Sequence, residues 1–297
     1  MRILSIKSFL LTLVLFFVLG STAVQAQSKF NKSDRAKAIV EKLAERKKQA
    51  QTQVSSTDPA EVEEQIEAKF AEILAMVEEV SANLHDKAAD YLENNCADVT
   101  HTEASKTVLI DFGASPCVGS DGRTRSGSIQ IQYMGSEREE NQTFNIGFND
   151  YSSNGYGVSG AIQYKAIGRD DSGNLNFEVR VNNGIVTQPN GQRATFEANL
   201  NKAWVNGENS GNPLHDVFET TGTTSGTLFD GTNFDTKTTM PVRYKLACLS
   251  KGSVYAVSGT RKVTMGTDVY LINYGGGACD KKVTITVNGV PQVVTLP

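Results

Sequence analysis

The chain has 297 residues, 29 Lys plus Arg against 33 Asp plus Glu, and a formal net charge of −4. A slightly acidic balance argues against a nucleic-acid partner, which needs a basic footprint to release counterions. The length suits one large domain or two small ones once terminal processing is allowed for.

The N-terminus reads as a secretory signal peptide over residues 1–26. Arg2 and Lys7 form a positive start, Phe9 to Leu19 is apolar apart from Thr12, and Val24-Gln25-Ala26 fits a small-x-small cleavage site. The apolar run is short for a span of about 20 residues, which favours cleavage over an anchor. No Cys lies near the cut, so no lipid attachment is expected. No later stretch is apolar and long enough to span a membrane as a helix. The predicted location is therefore secreted or periplasmic.

Residues 27–97 read as a helical segment. Between Asn31 and Asn95 there is no Gly and one Pro. A first helix is predicted from Ser33 or Asp34 to about Gln51. A second starts where Asp58, Pro59 and Glu61 combine a cap, a Pro at the first helical position and an early acid. Its apolar residues are Val62, Ile66, Phe70, Ile73, Val77, Val80, Leu84 and Leu92, at steps of mostly three and four. That pattern predicts a helix about 50 Å long. Lys37, Lys42, Arg46, Lys47 and Lys48 make the first helix basic. Glu61, Glu63, Glu64, Glu67, Glu72, Glu78 and Glu79 make the second acidic. An antiparallel, coiled-coil-like hairpin follows, with its acids on a solvated face or beside the basic helix; the thin apolar stripe of the first helix cannot fill that of the second, so the β-domain or another protein must cover the rest.

Residues 98–297 read as an antiparallel β-domain. Ile129, Ile131 and Tyr133 alternate with Gln130 and Gln132. Phe177, Val179 and Val181 alternate with Glu178 and Arg180, and Phe196, Ala198 and Leu200 with Glu197 and Asn199. Similar alternation recurs at Ile162 and Tyr164, at Val242, Tyr244 and Leu246, and at Val283, Ile285 and Val287. A period of two with one apolar face predicts antiparallel sheet. "DDSGN", "PNGQ" and "FDGTN" supply the turns. About ten to fourteen strands fit, as a two-sheet sandwich, a closed barrel or a large curled sheet capped by the long helix, with the sandwich or strongly curled meander ranked first. An outer-membrane barrel is disfavoured, because the strands carry too much Ala, Thr and Asn for a lipid face.

One phrase occurs twice: "LIDFGASPC" at Leu109 to Cys117 and "LINYGGGAC" at Leu271 to Cys279. It predicts a strand–turn–strand corner pinned by a disulfide. Four Cys in an exported chain imply two disulfides, for which three connectivities exist. Sequence order favours Cys96–Cys117 and Cys248–Cys279. After the first copy comes "SDGRTRSG". Arg123 and Arg125 there are either a small anion or carboxylate clamp or, the favoured reading, a solvated hairpin entry whose Arg pairs with a local Asp.

These motifs carry a resemblance. Asp111-Phe112-Gly113, Cys117, Asp121-Gly122-Arg123, Arg125, Gly127 and Ile129, followed by Tyr274-Gly275, Gly277 and Cys279-Asp280, resemble a family of uncharacterised secreted proteins and lipoproteins of Bacteroidota. The likeness covers about Val108 to Leu296. It implies an envelope location and a β architecture, and it implies no activity.

Chemistry is hard to find. His85, His101 and His215 have no recognisable motif, and no G-x-S-x-G occurs. "FDGTNFD" places Asp230, Asn233 and Asp235 in one loop, which reads as a turn more readily than as a calcium loop. A pair of glycosidase carboxylates has no sequence signature here. No cofactor, metal or catalytic residue is predicted. Arg123, Arg125, Tyr151, Tyr156 and Trp204 are the possible ligand contacts, Tyr151 and Tyr156 being the best candidates for exposure. The expectation is a structural or protein-interaction role at the envelope, with an envelope protein or a glycan as partner. The alternative is a carbohydrate-binding module or glycan-acting enzyme using the polar sheet face.

Overall fold

A computed structural model describes residues 58–82, 96–134 and 142–297. The predicted signal peptide, the predicted first helix and the predicted end of the second, with Leu84, His85 and Leu92, lie outside them. The described residues all belong to one compact unit, Ser56–Pro297.

The helix α1 spans Pro59–Ala82. Its start follows the predicted signals: Asp58 Oδ1 accepts a hydrogen bond from Ala60 N at 2.9 Å, and Pro59 takes a position where no amide hydrogen is needed. Fourteen strands then build one antiparallel sheet. They are β1 (Asp98–Thr102), β2 (Thr107–Asp111), β3 (Cys117–Val118), β4 (Thr124–Met134), β5 (Thr143–Ser153), β6 (Tyr156–Arg169) and β7 (Leu175–Thr187). They continue with β8 (Arg193–Asn206), β9 (Val217–Thr227), β10 (Asn233–Lys245), β11 (Ser258–Met265), β12 (Asp268–Gly276), β13 (Lys282–Val287) and β14 (Val290–Thr295). Each strand pairs with its neighbours in sequence, except that the short β3 hangs on β4 beside β2.

The predicted alternation sorts the two faces. Ile129, Ile131, Ile162, Tyr164, Val179, Val181, Phe196, Val283 and Ile285 are buried. Gln130, Gln132, Arg180, Glu197 and Asn199, on the opposite face, are exposed. The outward residues are polar, the reverse of a lipid-facing apolar band. No helix of the described residues is long and apolar enough to cross a membrane.

The inner face curls round α1. Glu63 bonds to Thr236 on β10, Glu64 to Tyr274 on β12, and Glu72 to Arg125 on β4 and Ser153 on β5. Glu63 and Glu72 are nine residues apart, about two and a half turns, and so point in opposite directions. Strands therefore face the helix from more than one side. Phe70 stacks on Phe196 of β8 at 4.6 Å, and Ile66, Ile73, Met76 and Val77 are buried with it. Curling needs local breaks in register. One lies between Ser159 and Ala161 against β7, where Gly160 has φ +122° and a Cβ would come within 2.7 Å of Asn183 O.

Two expectations are corrected here. The helix is not one arm of a coiled coil among the described residues: strands cover it, and its described length is 24 residues, about 36 Å. Its acids are not a solvated face either. Glu63, Glu64, Glu67, Glu72 and Glu78 are all buried. The sheet supplies the opposite charges that the first helix was expected to supply.

Candidate functional site

The polar chemistry of the described residues concentrates where α1 meets the inner wall. The wall is mostly apolar, so a carboxylate there needs a partner. Three anchor points supply partners.

The first joins the repeated phrase to the helix. Arg125 donates from Nε to Glu72 Oε1 at 2.8 Å, and from its other two nitrogens to Asp121 at 3.2 and 2.7 Å. Arg123 donates to Asp121 Oδ2 at 3.2 Å and to Gly252 O at 3.1 Å. Ser153 Oγ donates to Glu72 Oε2 at 2.9 Å. Burial alone would raise the Glu72 carboxyl; Arg125, Arg123 and Lys69 outweigh it and hold it below the usual range. Burial also pulls the nearby Lys69 ammonium down to about 8.

The second anchor gathers three acids around one arginine. Arg261 on β11 pairs with Glu67, and Tyr244 donates to the same carboxylate at 3.1 Å. Tyr274 donates to Glu64, and Thr236 donates to Glu63 at 3.0 Å. One cation cannot offset three buried carboxylates. Burial raises Glu64 to about 7 and Glu63 well above its ordinary value, with neighbouring acids adding to the rise.

The third anchor is Lys202 on β8, which pairs with Glu78 inside a ring of aromatic side chains. Asp216 lies within electrostatic reach of its amine.

The repeated phrase is two equivalent corners. Asp111 Oδ1 accepts from Gly113 N at 2.8 Å, and Asn273 Oδ1 accepts from Gly275 N at 2.8 Å. Both glycines hold a left-handed turn, φ +77° and +82°, which suits residues without a Cβ. Each corner turns its aromatic inward: Phe112 packs against Arg125, and Tyr274 reaches Glu64. Disulfides join Cys96 to Cys117 and Cys248 to Cys279, the pairing favoured by sequence order.

The possible ligand contacts lie mainly inside. Arg125 is 1% exposed and is held by two carboxylates, the local Asp121 and the distant Glu72, so the expected solvated entry is corrected to a buried one. Tyr151 is 2% exposed and packs against Phe112 and Phe148, so its expected exposure is corrected. Trp204 is buried on Phe218, at 5.4 Å between centroids. Tyr156 is half-buried against Phe229 and under Lys69 Nζ. The turn residues misled: "SSNG" bends the chain outward, yet Tyr151 sits on the inward phase of β5.

His101 Nε2 lies 2.7 Å from Tyr133 Oη, and His215 Nε2 lies 3.4 Å from Asn212 Nδ2. Asp230 Oδ1 accepts from Thr232 N at 2.9 Å, which closes the "FDGTN" turn. No group of three or more potential metal ligands occurs among the described residues.

Sequence reasoning missed Lys202, Asp216 and Arg261, although a signal existed for two of them. Lys202 shares the phase of Phe196, Ala198 and Leu200, and Arg261 the phase of Val263 and Met265. A cation on the apolar phase of a strand needs a buried acid, and the acidic helix was the available source.

No family model, no curated protein and no solved structure matches the chain.

Proposed function

We propose that this chain is an exported, non-enzymatic protein of the cell envelope with a structural or protein-interaction role. The observation that carries this reading is the direction of the aromatic side chains. Every Phe, Tyr and Trp of the described residues is buried or half-buried, and many of them line the walls around α1. Sugar-binding faces draw much of their affinity from exposed aromatic rings. Here the rings stabilise the interior instead. Two disulfides fit an oxidising compartment. The resemblance to secreted Bacteroidota proteins and the signal-like N-terminus support export. A sandwich is the less economical description of the sheet, since its strands face a common helix and pair in chain order.

A specific feature favours the glycan reading as second choice. Gln132, Asn145, Gln163, Arg180, Asn199 and Thr223 stand in register across β4 to β9 on the outer face. Amide and hydroxyl groups in a row suit a neutral polyhydroxylated chain.

The test is a crosslinking capture from intact envelopes using the full chain, beside a variant with Gln132, Asn145, Gln163 and Asn199 all changed to Ala. Recovery of one abundant protein by both supports the interaction role. Recovery of polysaccharide by the parent alone, with no protein, replaces that role with glycan binding.

A further inference from the structure

The three anchors of α1 differ in one chemical respect. Two use arginine, which stays protonated in proteins and cannot act as a nucleophile. The third uses Lys202, whose amine can. Lys202 and Glu78 are 124 positions apart, and their side chains are 8% and 5% exposed. Nζ meets Glu78 Oε1 and lies 4.0 Å from the centroid of Phe218 and 6.0 Å from that of Tyr164. Trp204 closes over Phe218, and Leu200, Thr220 and Leu246 complete the surroundings. Asp216, 3% exposed, is tucked beneath the turn at Gly207, where a Cβ would come within 2.3 Å of its Oδ1.

We infer that Lys202 and Glu78 condense to a side-chain amide that ties α1 covalently to β8. The neutral amine of Lys202 attacks Cδ of the Glu78 carboxylic acid. The Nζ–Cδ bond forms as one C–O bond breaks. One proton of the attacking nitrogen passes to the departing hydroxyl, which leaves as water. No oxidant, reductant or cofactor is consumed.

Three physical arguments carry the step. Fixed contact between amine and carboxyl replaces a bimolecular encounter and raises the effective concentration greatly. At 8% and 5% exposure the two side chains meet little of the water that would oppose condensation. The alternative is a permanent ion pair in an apolar interior, which is costly to desolvate; a neutral amide removes both charges. Burial also lowers the Lys202 amine to about 7, against the opposing pull of Asp216, so a reactive fraction exists near neutrality. Lys69, the other lysine close to the helix network, donates only to the main-chain oxygen of Ser153, at 3.4 Å, and has no such geometry.

The inference is independent of the proposed role, since the bond forms or fails whatever the partner. Intact mass spectrometry of the full chain, reduced and denatured, tests it. The expected mass is lower than that of the sequence by one water, and a digest yields a branched peptide joining the segments that hold Glu78 and Lys202. Lys202→Arg, which keeps the positive charge, and Glu78→Ala each restore the full mass. A folded parent chain of full mass, cut normally after Lys202, overturns the inference. So does a loss of water that persists in Lys202→Arg, or a branch that ends on Asp216.

Discussion

Glu72 and Arg125 stand 53 positions apart in the chain and meet at 2.8 Å inside the curled sheet. The contact couples the only described α-helix to the first of the two repeated corners. Arg125 also binds Asp121 with both remaining nitrogens, so a single guanidinium serves two carboxylates. Such a group stabilises the fold chiefly by preventing uncompensated buried charge.

Arg125→Met should therefore be far more damaging than a surface substitution. It removes the principal partner of Glu72 and Asp121 in a dry site, leaving them Arg123 and Ser153, and a loss of up to about 3–5 kcal/mol is expected. Urea denaturation of the oxidised protein reads the change directly. A loss within the range of ordinary surface substitutions would mean that water reaches Glu72.

The Glu64 carboxyl gives a pH dependence of defined sign. Its folded-state pKa is raised from 4.5 to about 7. Its contribution is fully present below its unfolded value and is lost as pH rises through about 7. Glu72 acts in the other sense: its carboxyl is lowered, so its contribution is present above the usual carboxylate range and is lost on acidification. Glu64→Gln keeps an acceptor for Tyr274 and cannot ionise. It should flatten the slope of stability between about pH 4.5 and 7 and raise stability at pH 8 by up to about 3 kcal/mol. Parallel urea titrations at pH 5 and pH 8 make the comparison, and an unchanged slope counts against this assignment.

Gly184 sets how closely the helix approaches the wall. A Cβ there would lie 2.4 Å from Phe196 O and 2.8 Å from the Phe70 ring. Gly184→Ala should push Phe70 off its stack on Phe196 and cost about 1–3 kcal/mol. Thermal unfolding followed by near-UV circular dichroism reports both the loss and the disturbed aromatic packing.

A chain beginning at Val99 should not fold. It lacks Ile66, Phe70, Ile73, Met76 and Val77, and it leaves Arg125, Lys202 and Arg261 facing an empty interior without their acids. The expected result is a broad, non-cooperative urea transition with strong binding of a hydrophobic dye. A sharp transition equal to that of the full chain would show that the sheet is self-sufficient.

Much of this was legible in the amino-acid order because it depends on neighbours. The cap at Asp58, the alternating strands, the Asx turns at Asp111 and Asn273 and the break in composition near Cys96 all follow from residues within a few positions of one another. The inward phase of β4, β6, β7, β8, β10 and β13 was legible for the same reason. Tyr151 escaped because a turn-rich segment hides the phase of the strand that enters it.

What encloses the helix was decided only in three dimensions. Helical spacing places Glu63, Glu64, Glu67, Glu72 and Glu78 around α1, and local sequence cannot say whether solvent, a basic helix or a sheet will face them. Their partners Arg125, Lys202, Thr236, Arg261 and Tyr274 are spread over β4 to β12 and converge only when the sheet curls. Charge in a dry interior is tolerated only when its partner arrives with it, so the meeting of these groups belongs to the tertiary structure alone.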